Sequence, residues 1–315
     1  MHTLPRAVYY GHHKCASTWI WQIIADICRD AGWTHRLLLD PLTPYSRGPL
    51  TDHYEQVSGE DIQNYVDRHR VDFLSHIAAR QEDVALLNPH RGFHVIRDPR
   101  DIIVSAYFSH RFSHPVDNVP HMAKHRERLN RVPLEEGLFL EMEYSSQELQ
   151  DLAEWDYEQP HILEIKMEEL VTNPYKNFLK IFDFLGLLDD DFFALMPKRI
   201  RTFLHSAFNR LARRYVFSRP LIRPMESIPG EYLLGRVYDY RFDRLAEGRK
   251  QGEENARSHY RKGVPGDWIN YFTPEHVVYF KTQYNDLLLK TGYEKSPDWD
   301  LSYNRYTHAT PSETS

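Results

Sequence analysis

Ala7-Val8-Tyr9-Tyr10-Gly11-His12-His13-Lys14-Cys15-Ala16-Ser17-Thr18-Trp19 is the stretch from which the rest of the chain is read. Its first four residues are apolar, β-branched or aromatic, the signature of a short buried strand. Gly11 begins a turn that contains Lys14. Ser17 and Thr18 then open a helical pattern that runs through Trp19-Ile20-Trp21-Gln22-Ile23-Ile24-Ala25-Asp26-Ile27. A strand, a loop and a helix amino terminus in that order form an anion site, because the first-turn amides and the helix dipole both favour negative charge. Lys14 adds a full positive charge, and the Ser17 and Thr18 hydroxyls add donors. The loop differs from a Walker A loop, in which lysine directly precedes the hydroxyl residue; here Lys14 stands three residues before Ser17. An ordinary strand-turn-helix with a surface lysine has the same local features, so the loop needs company.

Working outward, composition sets the frame. With 315 residues, 41% hydrophobic and 27% charged, the chain has the make-up of a soluble globular protein with an ample core, long enough for one large α/β domain or two modest ones. A formal charge of −6 argues against general nucleic-acid binding. Cys15 and Cys28 are the only cysteines, which leaves no disulfide framework and no zinc constellation, and no metal is expected. The first strand begins within a few residues of the amino terminus, leaving no room for a signal peptide, and no apolar run is long enough for a membrane span. The expectation is a cytoplasmic protein without a membrane anchor.

Further strands are expected at residues 34–40, 71–77, 92–96 and 161–165, with helix-period segments between them, which suggests a parallel set. Residues 41–60, rich in Pro, Gly, Ser and Thr, read as a surface excursion, and 60–69 as a short helix. Asn173-Pro174 and Thr273-Pro274 each place an N-cap and an N1 proline before helices at 175–185 and 275–289. Residues 196–258 are basic and aromatic and read as helices and loops. Residues 296–315 form a polar tail.

After the fourth strand comes Arg97-Asp98-Pro99-Arg100-Asp101-Ile102-Ile103-Val104-Ser105. Arg97 lies at the carboxyl end of a strand, where open α/β sheets place ligands, and Ser105 lies two turns along the next helix. A guanidinium is the natural partner of a phosphate dianion. On its own, pairing of Arg97 with Asp98 or Asp101 accounts for it equally well. Later, Arg261-Lys262-Gly263-Val264-Pro265-Gly266-Asp267-Trp268 forms another basic loop.

Together these segments resemble sulfotransferases that use 3′-phosphoadenosine-5′-phosphosulfate (PAPS). The Lys14–Trp19 loop is similar to their 5′-phosphosulfate loop, with Ala16 where the family usually has glycine. Arg97 and Ser105 match the 3′-phosphate motif. The segment from Arg261 matches the carboxyl-terminal Arg-Lys-Gly-x-x-Gly-Asp-Trp loop, and Lys166–Pro174 the segment before the family's long helix. The resemblance spans residues 7 to 290. It implies an α/β, three-layer fold with a central parallel sheet, a P-loop-like phosphosulfate-binding loop and a helical cap. One sulfotransferase domain would cover residues 1–295, with an expanded stretch at about 196–258 shaping the acceptor site.

The same resemblance assigns roles. Lys14 would neutralise the leaving phosphate, and Cys15, Ala16, Ser17 and Thr18 would cradle the 5′-phosphosulfate. Trp19 would stack on adenine, Arg97 and Ser105 would take the 3′-phosphate, and Arg261, Lys262 and Gly263 would close over it. Met167 stands where the family often has an adenine-site tyrosine. His76, in Leu74-Ser75-His76, matches the family's strand-end Lys-Thr-His base, although Leu74 replaces the lysine; His13 and then His12 are the next candidates. The acceptor would be a small molecule with a hydroxyl or amine. Phe203, Phe208, Tyr215, Phe217, Tyr232, Tyr238, Tyr240 and Phe242 are candidate lining residues, and a solvated amphipathic cap is the alternative for that segment. Acids between Glu135 and Glu143 read as a solvated helix face or a contact for a cationic acceptor. PAPS is the expected donor, no metal is needed, and a homodimer is left open. The alternative is a catalytically inactive relative that binds PAPS or its product 3′-phosphoadenosine-5′-phosphate (PAP) as a sensor. A kinase is opposed by the lysine position.

Overall fold

The structure, a computed structural model, describes residues 6–38, 62–87, 89–116, 120–189, 196–215 and 224–301. The expected excursion at 41–60, Phe217 and the tail beyond 301 lie outside these. The chain packs as two compact units, one drawn from Met1–Ile96 and Glu158–Gln251, the other from Arg97–Tyr157 and Gly252–Ser315.

The first unit holds the whole sheet. Strands β1 (Arg6–Gly11), β2 (His35–Leu38), β3 (Phe73–Ile77), β4 (His90–Ile96) and β5 (Ile162–Lys166) are all parallel, in the order β2-β3-β1-β4-β5. Parallel strands need crossovers, and helices α1 (Ser17–Ala31), α2 (Ile62–Arg68) and α3 (Gln81–Ala85) supply the first of them. β3 starts two residues later than the sequence suggests, because residues 70–72 are spent leaving α2. Arg70 sits at φ 50 there, and the Asp72 carboxylate accepts from the Thr34 amide at 2.7 Å. β4 starts earlier, since His90 finds a partner in Arg6.

The two faces of this sheet differ in chemistry. On one, Tyr9, Phe73, Phe93 and Ile165 join Ile20, Ile23, Ile24 and Ile27 of α1 in a single apolar core, with Tyr9 stacked on Phe93 at 4.8 Å. Each such side chain contributes about 1.5–3 kcal/mol on burial. On the other, register places His76 beside Tyr10, Tyr10 beside His94 and His94 beside Glu164, a titratable row across four strands.

Helices α8 (Met167–Thr172) and α9 (Pro174–Phe184) follow in this unit. Pro174 occupies the first turn of α9 as expected, but the Asn173 side chain makes no cap bond. Asn177 ties this end to α8, donating from its amide side chain to the Glu169 and Asn173 carbonyls at 2.9 and 3.0 Å. α10 (Met196–Arg214), α11 (Gly230–Asp239) and α12 (Phe242–Leu245) complete the unit. α11 is tied to α1 through two carboxylates one turn apart: Tyr240 donates to Asp26 at 2.9 Å, and Asp30 holds Tyr232 and, at 3.0 Å, Arg236.

The second unit is helical. It contains α4 (Pro99–Phe108), a π-helical turn at Ser109–Ser113, α5 (Pro120–Arg131), α6 (Leu134–Tyr144), α7 (Ser146–Glu154), a 3₁₀ turn at Asp267–Asn270 and α13 (Pro274–Lys290). α4 is capped by Asp98, which accepts from the Arg100 amide at 3.0 Å, and Pro99 follows it. α13 is capped by Thr273 with Pro274 behind it, and Gly292 turns the chain at φ 65 just past its end.

Candidate functional site

The Lys14 loop is built by backbone rather than by side chains. β1 ends at Gly11, where an added Cβ would lie 2.6 Å from the Tyr9 hydroxyl, so only glycine fits. Cys15 folds back onto the His12 carbonyl at 3.3 Å and is fully buried, which tightens the turn. Lys14 and Ala16 both adopt left-handed backbone, at φ 62 and φ 58. That conformation costs an L-residue roughly 1 kcal/mol, and it explains why glycine suits the position of Ala16. Ala16 is also the N-cap of α1 and has no side chain with which to accept a bond, and the first turn carries no acid. The first-turn amides of α1 lack the carbonyls four residues back that serve the rest of the helix, so they point where an anion would sit. Lys14, Ser17 and Thr18 are all partly exposed around this point.

Trp19 follows, half-buried. Its indole N–H donates to the Tyr240 carbonyl at 2.9 Å, and its ring meets Phe178 edge-on at 5.5 Å. Met167 is buried in the apolar core.

His76 is buried on β3 with Nε2 3.1 Å from the Asp83 carboxylate. Burial pushes Asp83 up, but the hydrogen bond and charge of His76 and the Arg80 amide outweigh it and hold this carboxyl below the usual range. With the proton on Nε2 toward Asp83, Nδ1 is the basic atom, and it is buried without a hydrogen-bond partner among the described residues. His12 and His94 meet at 2.8 Å, and His94 Nδ1 lies 2.7 Å from Glu164. Burial, reinforced by His94 and His76, holds His12 well below the ordinary imidazole value, and burial pushes His94 down to about 3. Both rings are therefore neutral around pH 7. His13 is partly exposed.

In the second unit the two later motifs are fastened to each other by Asp101. Its fully buried carboxylate accepts from the Gly266 amide at 2.7 Å and the Trp268 amide at 2.9 Å, which fixes the 261–268 loop against α4. Burial pushes the Asp101 carboxyl up, while Arg97 and the two amides pull it back. Asp98 is committed to Arg100, whose guanidinium also reaches Glu294 and stacks on Trp268 at 3.9 Å. Arg97 lies 3.9 Å from the Asp101 carboxylate. Ser105 is the one residue of α4 that is not buried. Lys262 lies 2.5 Å from Asp267, and Arg261 bonds both Asp267 and Glu254 while stacking on Phe108 at 4.6 Å. Burial raises Asp267, but Lys262 and Arg261 more than compensate and hold it below the usual range. Gly263 turns the loop at φ 71.

The described aromatics of the expected acceptor lining are placed differently from one another. Phe203, Phe208, Tyr215 and Tyr238 are exposed, while Tyr232 and Tyr240 are spent on Asp30 and Asp26. The arginines of this segment are not simply solvated either, since Arg210 and Arg236 both lie against Asp30. The acidic run of α6 is solvated at Glu135, Glu136 and Glu143, but Glu141 is fully buried. It accepts from His110 and His125 at 2.9 Å each and from Ser145 at 2.8 Å. Those three acid and imidazole groups lie close enough to hold a metal ion, a grouping spread over three elements that spacing alone does not reveal. Glu141 is already satisfied by three donors.

Asp83, His94, Glu164 and Asp267 are the site neighbours that sequence reasoning missed. For His94 and Glu164 the usable signal was parity along the strand, which puts them in the same row as Tyr10.

Against known proteins, no curated sequence matches this chain. Among solved structures, mouse sulfotransferase SULT7A1 complexed with PAP aligns at 18% identity, covering 90% of this chain and 84% of that one, with a TM-score of 0.47. A retinol dehydratase in complex with androsterone and inactive cofactor PAP aligns at 14% identity, over 90% of this chain and 82% of that one, with a TM-score of 0.44. The model of the sulfotransferase domain matches residues 5–211, well over half of the chain, and the protein therefore belongs to that family.

Proposed function

We propose that the protein transfers a sulfuryl group from PAPS to a hydroxyl or amine of a small-molecule acceptor. The observation that carries this reading is the Lys14 loop: two left-handed residues set a lysine and acid-free helix amides at the carboxyl end of a central strand. Ala16 to Thr18 would hold the 5′-phosphosulfate through backbone amides and the two hydroxyls, with Cys15, whose amide donates to the His12 carbonyl, shaping the turn around it. Lys14 would neutralise the charge that develops on the bridging oxygen as the sulfur–oxygen bond breaks. Arg97 and Ser105 would bind the 3′-phosphate, with Arg261, Lys262 and Gly263 closing on it, and Trp19 would meet the adenine.

His76 would take the acceptor proton at Nδ1. Asp83 orients the ring and stabilises the imidazolium, a division of labour familiar from other histidine–carboxylate pairs. In-line transfer requires no further group from the chain. Calorimetric titration with PAP, with AMP and ATP as controls and no added metal, tests the reading. Tight binding that depends on the 3′-phosphate is expected. A preference for ATP over PAP, in this titration or in a repeat with magnesium added, would overturn it. PAP binding without release of PAP from PAPS in any acceptor screen would instead favour a silent sensor.

A further inference from the structure

Helix α10 is built inside out. Among its described side chains Ser206, Asn209 and Ala212 are buried, and they face α1 with polar or small groups. Asn209 donates to the Asp30 carbonyl at 3.2 Å, Arg213 to the Trp33 carbonyl at 2.9 Å, and Arg210 lies 3.5 Å from the Asp30 carboxylate. The apolar residues point the other way. Ile200, Phe203, Leu204, Phe208, Leu211 and Tyr215 recur at spacings of three and four and form one stripe, about 22 Å long at the helical rise. Phe203 is 64% exposed, Leu204 59% and Ile200 53%. An amphipathic helix ordinarily turns such a stripe to the core. An exposed apolar stripe of this length marks an interaction surface.

Charge selects the partner. The sequence of α10, MPKRIRTFLHSAFNRLARR, contains Lys198, Arg199, Arg201, Arg210, Arg213 and Arg214 and no acid, within a chain of net charge −6. Two copies packed stripe to stripe about a two-fold axis would set this cationic helix against itself. An anionic lipid surface accommodates both features, taking the apolar stripe at the acyl boundary and Arg214, exposed at the end of the stripe, at the headgroups, while the acid-free helix adds no repulsion. No helix among the described residues is long and apolar enough to cross a membrane, so α10 would lie along the surface. We propose that α10 is an interfacial helix that seats the protein on anionic lipid. This does not depend on the donor reading.

The test is co-sedimentation of the full chain with phosphatidylcholine vesicles, with and without phosphatidylglycerol. Binding to the anionic vesicles that weakens as salt rises is expected. Phe203→Ser with Leu204→Ser should lower the partition about tenfold or more. Their exposure predicts an unchanged melting temperature. Arg214→Glu, an exposed position at the end of the stripe, should weaken anionic binding without affecting the fold. No pelleting, equal pelleting with neutral vesicles, or indifference to the double substitution would each overturn the proposal. A dimer in the ultracentrifuge that the double substitution dissociates, or capture by polyglutamate without vesicle binding, would give the stripe to a second copy or an acidic protein instead.

Discussion

The two basic loops, one in each unit, are made from opposite materials. The Lys14 loop relies on backbone: left-handed residues, a glycine under a tyrosine hydroxyl, and a helix start whose cap is an alanine. The 261–268 loop relies on charge: Asp101 grips its amides, and Asp267 and Glu254 hold Arg261 and Lys262. A loop shaped by backbone keeps its donors for a ligand and depends little on pH. A loop shaped by ion pairs must share its cations with resident acids and is exposed to acid.

The largest effect expected from this contrast is on the first loop's single charge. Lys14→Ala should lower PAP release from PAPS about a hundredfold or more while PAP affinity changes much less, because the charge acts mainly on the transition state. Near-normal turnover would remove Lys14 from the mechanism. Next comes the charge-built unit. Glu141→Gln should cost about 3 kcal/mol in urea unfolding at pH 7, as expected when one partner of a buried ionic cluster is lost.

Burial raises the Glu141 carboxyl, yet His110 and His125 more than compensate and hold it at about 2, against an ordinary 4.5. The folded value is the lower one, so its stabilisation is present above 4.5 and is lost as pH falls toward 2. The unaltered protein should lose stability through that interval, and Glu141→Gln should lose less of it. Equal acid sensitivity in both would remove the cluster from the account. Arg97→Ala should weaken PAP by about tenfold or more and AMP, which lacks the 3′-phosphate, far less; equal losses would deny Arg97 the 3′-phosphate. The smallest effect tests the backbone directly. Ala16→Gly should gain about 0.5 kcal/mol, the relief of left-handed strain minus the added entropy of glycine. A loss of stability there would mean that the methyl group is a needed contact.

The contrast also explains what could be read from the sequence. β1, the loop and α1 are contiguous, and their apolar period, turn and hydroxyl pair are all local, so the strand-loop-helix is visible at once. The five-stranded parallel sheet follows from apolar segments separated by helical ones. What the sequence hides is pairing over distance. Nothing near Asp101 announces Gly266 and Trp268 as its partners, and nothing in α6 distinguishes Glu141 from Glu143 except the two histidines on other elements that find it. The segment 196–258 shows the hardest case. Its apolar period in α10 is plain, but the usual inference that the stripe faces inward fails, because Asp30 and the Trp33 carbonyl recruit the polar side instead.

The burial of Cys15 makes the Lys14 loop its own reporter. The chain's other cysteine, Cys28, is fully buried as well, so no thiol presents itself to a reagent in the folded protein. Alkylation at Cys15 can proceed only during moments when the loop lifts from beneath Tyr9, and its rate therefore counts those openings. An anion seated on the amides of Ser17 and Thr18 would hold the loop down and slow that clock. The occupancy of the site could then be timed without any acceptor being known.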